Sequence, residues 1–400
     1  MRAAFKKRTW WSLILLTLLT CCAHWPMQGE VSNQLDWPET LTIKPPSNSA
    51  WPKTTGDVQV RYRCGWFREC DLVDYMARQR VCALFVMSRE RPVLVRSSSD
   101  AKCQEYLQND RHGVASITKS IVSVVFGLVA LNPAYGAPLD LDTSVAKVLA
   151  RSGLTYPKSG VSIRQLLQMS SGMRWSDSET ETALRITANV DGSQVGPHRT
   201  LREAVQARLS TAEFSATPEF NYSGFDTQLL GLLIEDRLGK SGVWPRPTLD
   251  QAVESLIWRK TGAVKEANWK ADFMFHPPAY CCFYSSAGDL AKFGNWVLQQ
   301  YRSGVGRMAD WLRRSIADRV KTGESCNFYG GSRSFEYGYQ WWVPSGDREG
   351  FTGIGSGGQY LHLFPEQDVV VVQLGAKESN DTEHCEALLV HRMIADSFAQ

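Results

Sequence analysis

Histidine is scarce in this chain of 400 residues: seven occur, and no His-Glu-x-x-His pattern is among them. No Cys-x-x-Cys pair occurs, and Cys64 and Cys70 are too far apart for a zinc knuckle. The usual metal ligand sets are therefore missing. Charge is almost balanced. The formal net charge is +3, and Arg2, Lys6, Lys7 and Arg8 supply four positives at the start, which leaves the remainder near −1. That balance argues against nucleic acid as a partner. No repeat or low-complexity tract is present. No Gly-x-Ser-x-Gly elbow surrounds a serine, so a Ser-His-Asp triad of that kind has no support.

What is present begins with an export signal. MRAAFKKR is basic, and the apolar run WWSLILLTLLT that follows is 11 residues long. A spanning helix needs about 20 residues, so a signal peptide over 1–23 fits better. Cys21 and Cys22 sit in weak lipoprotein boxes, because threonine is a poor residue before the cysteine. Cleavage near Ala23 and lipid attachment both stand as readings, with an uncleaved membrane anchor as a lesser one. The destination is periplasmic, free or anchored through the N-terminus. Eight cysteines follow (Cys64, Cys70, Cys82, Cys103, Cys281, Cys282, Cys326 and Cys385), an even number that suggests disulfides of open pairing.

Residues 24–77 read as an N-terminal extension, its first part rich in Pro, Ser, Asn and Trp without a clear period. VCALFVMS (81–88) and VLVRSSS (93–99) read as a hairpin. Helices are expected over 139–150, 162–173, 201–210, 225–239 with Gly239 as the stop, 285–301 and 387–399. After residue 335 the pattern turns to strands: YGYQWWV, QYLHLFP and VVVVQLG. Strands at both chain ends can pair in one antiparallel sheet. The expectation is an α+β fold with helices flanking that sheet, formed by 78–119 and 276–400, and an inserted all-helical domain over 120–275. The cleft between the two parts is the natural place for a site.

Ser116 and Lys119 lie where polar sequence gives way to the apolar run SIVSVVFGLVAL. Ser-x-x-Lys alone says little, since about one or two matches arise by chance in a chain of this length. Ser99–Lys102 and Ser144–Lys147 are two such matches, one in a polar turn and one at a helix start. The helix after Ser116 is apolar nearly all round, so it should be buried and rigid. Residues three apart share a helix face. Desolvation disfavours an ammonium, so a buried lysine can take a serine proton. The alternative is a serine that caps a core helix and a lysine that reaches solvent.

VASITKSIVS, LDLDTSVAKVL, IRQLLQMSSGM, YSGFDTQLLGLLIE, YSSAGDLAKFGNWV, YGYQWWV and GIGSGGQYLHLFPEQDVVVV occur in that order. Together they resemble the serine β-lactamases and penicillin-recognising hydrolases. Within these the chain is most similar to the class C-like branch, which includes esterases and 6-aminohexanoate-dimer hydrolases. The resemblance covers about residues 78–398. It implies that Ser116 is the acylated nucleophile, with Lys119 as base or proton relay. The second motif falls on Tyr222-Ser223-Gly224, where Tyr222 would pass the proton to the leaving group. Tyr284-Ser285 is set aside because it precedes a helix. The third motif falls near Thr352 to Gly358, with a backbone N–H at Gly355 or Ser356 completing the oxyanion hole. Gly353 and Ile354 would lie along the substrate.

Two departures bear on specificity. No Lys or His stands in the third motif, and Gly224 replaces the frequent Asn of the second. Both disfavour β-lactams and favour a small-molecule ester or amide, cleaved without metal or organic cofactor. Trp175, Trp341 and the neighbouring Tyr339 and Trp342 suggest an aromatic wall for an apolar acyl chain. His112 reads as a surface or loop histidine. The alternatives are a penicillin-binding D-alanyl carboxypeptidase or β-lactamase, and a non-catalytic ligand-binding member.

Overall fold

The computed structural model describes residues 37–46, 57–108, 111–175, 200–217, 219–329, 331–377 and 384–399. The export segment expected over 1–23 lies outside them. The first strands are β1 (Glu39–Ile43), β2 (Arg61–Arg63), β3 (Glu69–Asp71), β4 (Val81–Ser88), β5 (Arg91–Ser97), β6 (Leu107–Gln108) and β7 (Arg111–Gly113). They are followed by β8 (Ala267–Ala271), β9 (Phe283–Ser285), β10 (Val320–Phe328), β11 (Gly331–Tyr337) and β12 (Trp342–Pro344). The last are β13 (Phe351–Gly355), β14 (Gln359–Phe364) and β15 (Val369–Gly375).

Eight strands form an antiparallel sheet in the order β10-β11-β12-β13-β14-β15-β4-β5. Arg89 and Glu90 both take positive φ, so the β4–β5 connection is a tight turn whose twist suits a hairpin. The VVVV run of β15 pairs with β4, Val371 opposite Val86, and so joins the two ends of the chain. β13, β14 and β15 are buried along their whole length, as strands covered on both faces must be. One face takes the amphipathic helix Ala287–Ser303, and the other takes Leu72–Arg78 and the final helix His384–Ser397. A Cβ at Gly294 would lie 2.6 Å from Leu361 Cδ1, so glycine there lets the first of these helices settle onto β14. Two apolar clusters result, one on each side of the sheet. The architecture is α+β, with sheet strands from both chain ends.

The helix Ile117–Ala130 is buried at every position except Leu128. Its polar residues are satisfied across the core: Ser120 Oγ donates to the Gln340 carbonyl at 2.8 Å, and Ser123 Oγ to that of Tyr339 at 2.6 Å.

Several expectations change. The stretch 120–275 is not all-helical, because it contains β8. A second sheet, β1-β8-β9-β7-β6, gathers strands of two to five residues that are too short to show a period. The N-terminal extension is folded where it is described: β1 pairs with β8, β2 with β3, and Leu72–Arg78 is helical. The helix expected over 139–150 covers only Val145–Ala150, and that over 162–173 only Ile163–Leu167. The helix Gly224–Ser241 runs past Gly239 and stops at Gly242, which takes the left-handed conformation. The eight cysteines pair as Cys64–Cys70, Cys82–Cys103, Cys281–Cys282 and Cys326–Cys385.

Candidate active site

β7 leads into a sharp turn in which Ala115 has φ 48°, a left-handed conformation uncommon for a residue with a side chain. Ser116 follows at the helix start, with helical backbone angles and no side-chain capping bond. Its hydroxyl is thus not spent on the helix. It accepts instead from Lys119 Nζ at 2.8 Å, one turn along. Ser116 is half-buried and Lys119 is 2% exposed.

The Lys119 amine also donates to the Tyr280 carbonyl at 3.3 Å and lies 4.7 Å from the ring centroid of Tyr222. Tyr222 comes from the loop before the helix Gly224–Ser241, whose first turn is capped by Ser223. Its ring stacks on Trp342 at 5.5 Å and meets Tyr337 edge-on at 6.0 Å. Tyr222, distant in sequence, is therefore brought to the Ser116–Lys119 pair.

β13 lies against the turn that carries Ser116. A Cβ at Gly355 would fall 2.5 Å from the Val114 carbonyl oxygen, and one at Gly353 would fall 3.0 Å from Ser120 Oγ. Both glycines allow the strand to approach the helix. Ile354 points the other way, into the cluster that holds Tyr222 and Trp342. Ser356 is half-buried and opens the turn after the strand.

The aromatic wall is rearranged. Trp341 is fully buried, edge-on to Phe351 in the opposite core cluster, and offers no surface to a ligand. Its neighbour Trp342 is the tryptophan at Tyr222. Tyr339 is also fully buried. Trp175 is half-buried, with Phe225 against its ring at 4.9 Å and the Arg208 guanidinium 4.7 Å from the ring centroid. Asn221, next to Tyr222, donates to the Trp175 carbonyl at 3.2 Å and so ties the two regions. His112 is not a surface residue: it is 1% exposed, and burial pushes its imidazole below the ordinary value. Tyr284 lies in β9 and Ser286 caps the following helix. Tyr280 was missed by sequence reasoning, because a backbone carbonyl leaves no residue-type signal. Among the described residues, no group of three or more His, Cys, Asp or Glu is disposed to hold a metal ion.

A family model described as Beta-lactamase matches residues 72–392. The 6-aminohexanoate-dimer hydrolase of Paenarthrobacter ureafaciens is 26% identical over 298 residues, which is 71% of this chain and 70% of that protein. A Bacillus anthracis structure titled as a candidate 6-aminohexanoate-dimer hydrolase superposes with a TM-score of 0.68 at 19% identity, covering 90% of each chain. A hydrolase described as having promiscuous acyltransferase activity gives 0.57 at 14% identity, over 82% of this chain and 96% of its own. At these identities the likeness to solved structures is one of fold.

Proposed function

The chain belongs to the Beta-lactamase family, whose members are hydrolases, and from that premise we propose that it cleaves an ester or amide bond through an acyl-enzyme on Ser116. The observation that carries this reading is the 2.8 Å contact between Lys119 Nζ and a Ser116 hydroxyl that caps nothing. In the proposed cycle Ser116 Oγ attacks the carbonyl carbon, and its proton passes to the Lys119 amine. The oxyanion accepts from the Ser116 backbone N–H and from one at Gly355 or Ser356 on the adjoining strand end. As the C–O or C–N bond breaks, the proton moves through Tyr222 to the departing oxygen or nitrogen. Water then attacks the acyl carbon, the proton path runs in reverse, and acid is released with Ser116 restored.

The sequence of the third motif supports the substrate class. Residues 352–358 offer backbone and the hydroxyls of Thr352 and Ser356, but no cation to receive a carboxylate. Gly224 supplies no side-chain amide. An uncharged acyl group suits such a site better than a β-lactam carboxylate does. The experiment is a panel of p-nitrophenyl esters, linear amide dimers and nitrocefin, run on wild type and Ser116→Ala. Turnover of esters or amides by wild type should fall about a thousandfold or more in the variant. Full activity in Ser116→Ala would place the nucleophile elsewhere, and stable labelling by a fluorescent penicillin would favour the penicillin-binding reading.

Export is part of the proposal. The basic and apolar N-terminus and four disulfides support it, since such bonds persist in oxidising compartments. Mass spectrometry of the mature N-terminus tests it, and a chain that keeps residues 1–20 in the cytosolic fraction would overturn it.

A further inference from the structure

Tyr280, whose carbonyl receives Lys119, is followed directly by two cysteines bonded to each other. A disulfide between neighbours closes a small ring that contains the peptide bond joining them, so it restricts the backbone at that one point. Cys281 is 8% exposed and Cys282 is fully buried, with φ 73°. Around this ring the carbonyls accept from several separate elements. Those of Pro278 and Cys281 both accept from Trp269 Nε1, at 3.0 and 2.9 Å. That of Cys282 accepts from the Lys270 N–H at 3.0 Å, which ties the turn to β8. That of Phe283 accepts from the Val114 N–H at 2.9 Å, two residues before Ser116. The carbonyl of Tyr280 is the one turned towards the Lys119 amine.

We infer that the Cys281–Cys282 disulfide is a positioning element for Lys119, and that its reduction slows hydrolysis. This rests on the reading of Lys119 as the group that takes the Ser116 proton. With the bond in place, the left-handed turn at Cys282 holds the Tyr280 carbonyl opposite the amine, and the amine opposite Ser116. A dithiol reductant attacks one sulfur, forms a mixed disulfide and then closes on itself. The protein is left with two thiols and the reductant with a disulfide. Cys282 then keeps a left-handed conformation without the ring that enforced it. The turn relaxes, and the carbonyl loses its fixed place beside Lys119. Among the described residues, the Cys82–Cys103 bond packs with Ala376, and the Cys64–Cys70 and Cys326–Cys385 bonds lie in the cluster beneath the final helix.

The test uses the full chain, with a p-nitrophenyl ester as substrate. Cys281→Ser/Cys282→Ser should lower kcat about 10- to 100-fold, the scale of a small misplacement of a catalytic group, with KM within about twofold and no further response to dithiothreitol. Wild type treated with dithiothreitol should fall to the same kcat and recover on reoxidation, with peptide mapping to follow the 281–282 thiols. Cys82→Ser/Cys103→Ser should lose thermal stability and keep kcat. Wild-type kcat in Cys281→Ser/Cys282→Ser, or continued sensitivity of that variant to dithiothreitol, would overturn the inference. If the double variant does not fold, the reversible loss in wild type, matched in time to the 281–282 thiols, decides the matter alone. Lys119→Met and Ser116→Ala separate the two layers. If both are inactive while the cysteine variant is normal, only this inference falls. If either stays active, the proposed reaction falls first.

Discussion

The hydroxyl of Ser116 is held by an amine that is itself held from three sides, by Ser116 Oγ, by the Tyr280 carbonyl and by the face of Tyr222. Tyr222 owes its place to packing, wedged between Trp342 and Tyr337. Its hydroxyl can therefore be removed without moving the ring. Tyr222→Phe should keep its melting temperature and lose about 100- to 10,000-fold in kcat/KM on esters, the usual worth of a placed proton-transfer group. Unchanged kcat/KM would remove Tyr222 from the proton path. That Ser116, Lys119 and Tyr222 come together was legible in the sequence, because a spacing of three is one helical turn and the motifs fall in order. Trp341 and Trp342 could not be told apart. Neighbouring residues of an extended chain face opposite ways, and a one-residue uncertainty in register exchanges core for site.

At the scale of elements, the proposed site depends on how closely β13 lies against the helix Ile117–Ala130. Gly355→Ala would put a methyl group 2.5 Å from the Val114 carbonyl, which is backbone and sits just before the turn at Ser116. The turn must shift. The variant should lose about 1–3 kcal/mol by urea unfolding and most of its activity. Gly294→Ala, on the helix Ala287–Ser303, meets the ends of the Leu361 and Val370 side chains of β14 and β15 instead. It should cost stability and leave kcat close to wild type. Equal activity loss in both variants would mean that overpacking in general, not the seating of the strand, is responsible. Long apolar runs were read to the residue, as at Val81–Ser88 and Val369–Gly375. The strands of two to five residues in the second sheet were invisible, because alternation needs more positions to show. Helix ends slipped where two glycines competed: Gly239 stays helical, and only Gly242 turns left-handed.

Across the whole molecule, the sheet separates two interiors of different character. The side covered by the final helix buries three histidines, His362, His384 and His391. Desolvation pushes His362 down to about 3, His384 down to about 4 and His391 well below its ordinary value. The unfolded chain takes up these protons near pH 6.5, while the folded chain does so only further down. Their neutral forms thus cost nothing above about pH 6.5, and stability falls as pH drops from there towards 4. Glu235 and Asp289 are pushed up by burial and work in the opposite direction. The histidine contribution is therefore read from a variant. Wild type should lose on the order of a few kcal/mol between pH 7 and pH 4 by urea titration, and His384→Gln should show a shallower decline. Parallel curves would rule out His384 as a source. The joining of the chain ends in one sheet was legible from the apolar runs at either end. The second sheet was not, because it draws on four separate stretches between residues 39 and 285.

That joining sets an order of events. β13 reaches its place beside Ser116 through β14 and β15, and β15 is anchored on β4, made more than 280 residues earlier. A nascent chain that has emerged only as far as residue 350 has its Ser-Lys helix but no strand to lay against it. Such distant pairing is slow to form. On the proposed mechanism the chain therefore stays inert until β13, β14 and β15 have been made, and reactivity arrives with its last few dozen residues.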